Sequence, residues 1–77
     1  AMTAHDGIAR AVRPAHSLLD GDTIFALSIA KRPAELSTQV VTQLCAAAAD
    51  AVEEAIVNAV TAANPGLGLS AYRDLLD

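Results

Sequence analysis

The chain has 77 residues, 53% of them hydrophobic, 18% charged and 3% aromatic, with a formal net charge of -4. One small domain is all that length holds, and a charged fraction below the roughly 25% of ordinary soluble domains excludes intrinsic disorder as the main state. Five Lys and Arg against nine Asp and Glu exclude a nucleic-acid binder, since no run of cations replaces phosphate counterions, and one Cys excludes a disulfide framework or, by itself, a zinc site.

Ala1 ahead of Met2 reads as a residue left by tag cleavage, and no basic region followed by an apolar run marks a signal peptide. Thr3 with Asp6 fits a capping box, and Ala4, Ile8, Ala11 and Val12 fall on one helical face, which predicts a helix over 3–13. Pro14 disfavours helical geometry before it and ends the helix near Arg13. Gly7 inside that helix costs about 1 kcal/mol relative to Ala, so close backbone packing is the better explanation for it.

Asp20-Gly21-Asp22 is a turn signal. The segment after it, Thr23 to Ala30, alternates Thr23, Phe25, Leu27 and Ile29 with Ile24, Ala26, Ser28 and Ala30. Both sets are largely apolar, which predicts a strand over 23–30 covered on both sides. Lys31-Arg32-Pro33 breaks it. A long helix over 37–63 follows, with Val40, Val41, Leu44, Ala48, Val52, Ala55, Ile56, Ala59, Val60 and Ala63 on its apolar stripe. Gln39, Gln43, Asp50, Glu53, Glu54, Asn58 and Thr61 make the polar stripe, too many for a membrane span of about 20 residues nearly free of charge. Asn64-Pro65-Gly66 stops the helix, and Ser70 is placed to cap a helical turn over 70–76.

The fold class expected is therefore α+β: short helix, one buried strand, long helix, short terminal turn, in a single incomplete domain over 1–77. Two features do not fit a free-standing monomer. A helix over 37–63 would measure about 40 Å, against a compact diameter near 30 Å for this length. A strand with both faces buried also needs neighbours for its amides and carbonyls. We expect partners to be further copies, as a homodimer or higher even oligomer.

His5, His16 and Cys45 invite a metal hypothesis, but their spacing matches no ligand motif, and we expect no metal and no cofactor. Cys45 falls on the apolar side of the long helix and reads as a small packed side chain. His5 beside Asp6 fails as a base with its orienting acid, because helix neighbours one apart do not face each other. Asp20 and Asp22 have two readings. One is a turn; the other is a carboxylate at the mouth of a sheet, able to orient an amine or a proton. Ala46 to Ala49 reads as a face for close helix packing, and Glu53 and Glu54 as a solvated face.

The string AHDGIARAVRPAHSLLDGDTIFAL, with AAADAVEEAIVNAV and SAYRDLL after it, resembles the C-terminal part of the DmpA-type aminopeptidases, the L-aminopeptidase/D-esterase and β-peptidyl aminopeptidase family. The resemblance covers nearly the whole chain. It implies a fragment of an αββα sandwich, shared with the ornithine acetyltransferase-like group. It also implies a hydrolase releasing N-terminal residues from peptides, amides or esters. In that family a precursor cuts itself, and the new N-terminal Ser or Thr of the smaller subunit is the nucleophile, its free amine serving as base. Placed on the family, this chain starts within the smaller subunit's first helix, downstream of the nucleophile, and lacks the larger subunit, a further candidate partner. Some members carry a Ser-Gly-acid motif where this chain has Asp20-Gly21-Asp22. By that resemblance Asp22 is the active-site-adjacent acid and Asp20, in place of the serine, the weaker candidate. Thr3 sits on the wrong element to replace the nucleophile. We expect a cytoplasmic protein, inactive alone, with no nucleic-acid or membrane partner. The alternative from another class is a non-catalytic structural module that self-associates.

Overall fold

A computed structural model describes residues 1–29 and 37–76. The Lys31-Arg32-Pro33 break and the last position of the expected strand, Ala30, lie outside the described residues. Among those described, a 3-10 turn, Met2–Ala4, runs into helix α1, His5–Ala11, and helix α2 spans Thr38–Ala62. A second 3-10 turn, Tyr72–Leu75, closes the order.

α1 begins without its expected cap. Thr3 lies inside the opening 3-10 turn, and no side chain caps either that turn or α1. The carbonyls of that turn already take the first amides: Ala4 N–H donates to Ala1 O at 3.1 Å, so the hydroxyl is not needed there. α1 stops at Ala11 because Val12 turns extended (φ -121°, ψ 122°) ahead of Arg13 and Pro14.

α2 starts where Ser37, extended at ψ 158°, turns its Oγ to accept from Val40 N–H at 3.2 Å. It ends at Ala63, extended before Asn64-Pro65. Arg73 reaches back from the terminal turn and donates to the Ala63 carbonyl through Nε at 3.3 Å and Nη2 at 3.2 Å. A cation on the last carbonyls suits the negative end of the helix. The terminal turn is not capped by Ser70; Asp74 Oδ2 accepts from Ala71 N–H at 2.8 Å instead. A carboxylate three residues inside the turn reaches that amide more strongly than a neutral hydroxyl one residue outside it.

The two helices meet through small residues. Ala4, Gly7, Ala15, Ala49 and Ala71 are the buried residues among those described, and no large apolar side chain is fully buried. Ala49 keeps 1% of its surface, and Gly7 lies directly on it. A Cβ on Gly7 would collide with the Ala49 carbonyl oxygen and lie 2.8 Å from Val52 Cβ and 2.9 Å from Glu53 N. The glycine that weakens α1 locally is what lets it touch α2. Glu53 is half-buried at this contact, not on a solvated face, because the α1 backbone covers its amide.

Arg10 Nη1 sits 2.6 Å from Asp50 Oδ1, with its Nε 4.0 Å from Glu53 Oε2. The pair bridges α1 to α2 but faces water at both ends, so we expect Arg10→Ala to cost no more than about 1 kcal/mol. Urea melts of the two proteins at equal concentration check this. A loss of several kcal/mol would show that the ion pair, rather than the Gly7 contact, holds the helices together.

The expected strand is not formed in the single chain. Residues 21–29 have no helix or turn, and no ladder forms among the described residues; Phe25 and Leu27 are each 90% exposed and Ile29 85%. Ile24, on the other face, is half-buried. The described residues supply no second strand beside it, and the segment does not make the doubly covered strand its alternation predicts. The whole chain is accordingly elongated: its radius of gyration is 16.2 Å, against about 11.5 Å for a compact chain of 77 residues. No helix among the described residues is long and apolar enough to cross a membrane.

Candidate functional site

The Arg13–Pro14 peptide bond is cis, and beyond it the chain comes back beside the start of α1, where His16 meets His5. The turn that comes next lies earlier than expected: Asp20 N–H donates to Ser17 O at 3.1 Å, so Ser17–Asp20 makes the reversal and Asp20-Gly21-Asp22 leaves it. Serine at the first position of such a turn is favourable, which is the local reason it forms there. Leu18 and Leu19, at its centre, are fully exposed.

This reversal assembles three side chains from distant positions. His16 Nδ1 lies 3.8 Å from Asp22 Oδ2, and the His5 and His16 ring centroids lie 5.9 Å apart at 46°. The first distance is beyond a direct hydrogen bond and within reach of an ion pair when the imidazole is protonated. The second falls in the range of tilted aromatic contacts. His5 is half-buried, and the Asp22 side chain keeps 31% of its surface. The carboxylate thus stands at a partly shielded rim with an imidazole beside it. An acid so placed can orient a cationic amine or hold a hydroxyl proton.

Asp20 is exposed, as Asp22 is taken as a whole residue, and it is the Asp20 backbone that makes the turn. The structure therefore separates the two sequence candidates, with Asp22 in the cluster and Asp20 outside it. His5 and His16 were not paired by sequence reasoning. Their separation of eleven positions is close to three helical turns, but α1 ends at Ala11, so it is the chain's return that brings them together.

Cys45 lies elsewhere, half-buried on α2. It lines an open-sided cleft of about 480 Å³ with Thr3, Ala4, Leu27 and Leu44. The cleft is mostly apolar. No group of three or more His, Cys, Asp or Glu among the described residues is arranged to hold a metal ion.

Residues 1–72 match the family model for peptidase family S58. Curated relatives carry the description of uncharacterized aminopeptidase. Those of Mycobacterium bovis and Mycobacterium tuberculosis are each 48% identical over 85 residues, covering 97% of this chain and 25% of their own length. That of Mycobacterium leprae is 43% identical over 82 residues, covering 94% of this chain and 23% of its own length. The chain spans about a quarter of the curated relatives it matches. No solved structure matches it.

Proposed function

The chain belongs to peptidase family S58, and from that premise we propose that it is one part of an N-terminal-nucleophile aminopeptidase, to which it contributes the Asp22 carboxylate. The similarity of nearly the whole chain to proteins described as aminopeptidases carries this reading. The αββα sandwich and its nucleophile follow from the DmpA resemblance. There the hydroxyl oxygen of an N-terminal Ser or Thr attacks the substrate carbonyl while the free amine takes its proton. The substrate's own leaving amine departs with that proton, and water then hydrolyses the ester. None of these reacting groups is among the residues assembled here. Asp22 would act beside them, its negative charge favouring the protonated amine and fixing the hydroxyl's orientation. His16, beside Asp22, suits a positioning role.

Two assays test this. The 77-residue chain alone should hydrolyse aminoacyl p-nitroanilides no faster than buffer. Residues 1–76, exchanged for the matching quarter of the Mycobacterium tuberculosis relative, should support turnover. In that chimera Asp22→Asn should lower kcat/KM by about 10²-fold or more, and Asp20→Asn by less than about tenfold. Turnover by the isolated chain that disappears with Asp22→Ala would overturn the reading. So would an active chimera indifferent to Asp22→Asn.

A further inference from the structure

Asp22 lies on a stretch, residues 21–29, with neither helix nor turn. Backbone of that kind does not aim a side chain by itself, and a group misplaced by about 1 Å can cost about 10²-fold in rate. The carboxylate therefore depends on its neighbours, and it meets the His16 imidazole at 3.8 Å. His16 lies outside any helix as well, with 56% of its side chain exposed. Ala15 beside it is buried, and the His16 ring meets the ring of His5 at 5.9 Å and 46°. His5 is held more firmly than either. It is the first residue of α1, and its N–H donates to the Met2 and Thr3 carbonyls. Two positions on, Gly7 packs against Ala49 of α2.

We propose that His5 is a positioning residue for the Asp22 carboxylate, acting through the His16 ring. This role rests on Asp22 belonging to the aminopeptidase site, and it extends that site to a residue on α1. The docked helix fixes His5, the His5 ring fixes the His16 ring, and the Nδ1 side of His16 fixes the acid. The two histidines have different tasks. Position 5 has to present a flat ring to another ring, with centroids about 4.5–7 Å apart, which any aromatic side chain can do. Position 16 has to present a ring to His5 and a nitrogen to the carboxylate, and an imidazole carries both. Among the described residues His16 has its ion pair with Asp22 and none with a residue of α2. Support for the acid therefore comes from α1, by way of His5.

Variants of the Mycobacterium tuberculosis chimera test this, read as kcat and KM on an aminoacyl p-nitroanilide. His5→Ala should lower kcat about tenfold and leave KM within about twofold, because orientation rather than binding is lost. His5→Phe should restore kcat to within about threefold of the parent, since the ring is what position 5 supplies. His16→Phe, which keeps the ring contact and loses the nitrogen, should be as slow as His5→Ala. In an Asp22→Asn background His5→Ala should change kcat by less than about twofold, because the carboxylate it positions is gone. An equal loss from His5→Ala in both backgrounds would make His5 a packing residue and overturn the proposal, while Asp22 keeps its role. A His5→Phe protein as slow as His5→Ala would overturn it in the same way. If Asp22→Asn is itself silent, Asp22 has no part in the site and the positioning role fails with it. Geometry has its own check in the 77-residue chain: nuclear Overhauser contacts between the two imidazole rings are expected, and a helical chain without them would overturn the proposal whatever the chimera does.

Discussion

Gly7→Ala should pry α1 from α2 and cost more than about 3 kcal/mol, although alanine is the better helix former by about 1 kcal/mol. Packing decides the sign. The added Cβ meets the Ala49 carbonyl oxygen and the Glu53 amide, which belong to the α2 backbone and cannot rotate away, and Val52 Cβ 2.8 Å from it. Ordinary overpacking against mobile side chains costs about 1–3 kcal/mol, and a rigid obstacle raises that. Gly7 and Ala49 are the buried residues of α1 and α2 among those described, so the docking of α1 rests mainly on this pair. Urea melts followed by circular dichroism, at one fixed protein concentration, measure the loss. Gly21→Ala is the control: nothing lies within 4 Å of a Cβ there, and its effect should stay within about 0.5 kcal/mol. A Gly7→Ala protein as stable as its parent would mean that α1 does not dock on Ala49.

Phe25→Asp and Ile24→Asp should differ sharply in what they cost the chain. Phe25 is 90% exposed in one chain, so a carboxylate there leaves the α1–α2 contact untouched. Its effect on stability should stay within about 0.5 kcal/mol, with helicity retained. Ile24 points the other way and is half-buried within its own chain. Ile24→Asp should therefore lower stability by about 1–3 kcal/mol. Thermal melts of both variants distinguish the effects. A Phe25→Asp protein that loses as much stability as Ile24→Asp would mean that both faces of residues 23–29 are covered.

Much of the helical organisation was legible in the sequence because its causes are local. Ser37 can cap only the amides just after it, and Asn64-Pro65 stops a helix whatever surrounds it. Pro14 acts on the two residues before it, and α1 ends accordingly at Ala11. Gly7 was legible for a subtler reason: a residue that weakens its own helix implies a compensating neighbour, and Ala49 is that neighbour. Family membership was equally legible, carried by the AHDG, RAVRP and DGDT strings taken together.

Other features depend on distance in space, and only the tertiary structure decided them. The caps expected from Thr3 and Ser70 lost to nearer or more strongly charged acceptors, the Ala1 carbonyl and the Asp74 carboxylate. Glu53 left the solvated face once α1 lay across it. Asp22 was set apart from Asp20 by His16, which the chain reversal brought to 3.8 Å. Thr23 to Ile29 shows the limit most clearly. Its alternation marks a strand, and the structure gives it neither helix nor turn, but a strand is completed by the amides and carbonyls of a neighbour. A helix satisfies its hydrogen bonds within its own sequence; a strand has to find them elsewhere.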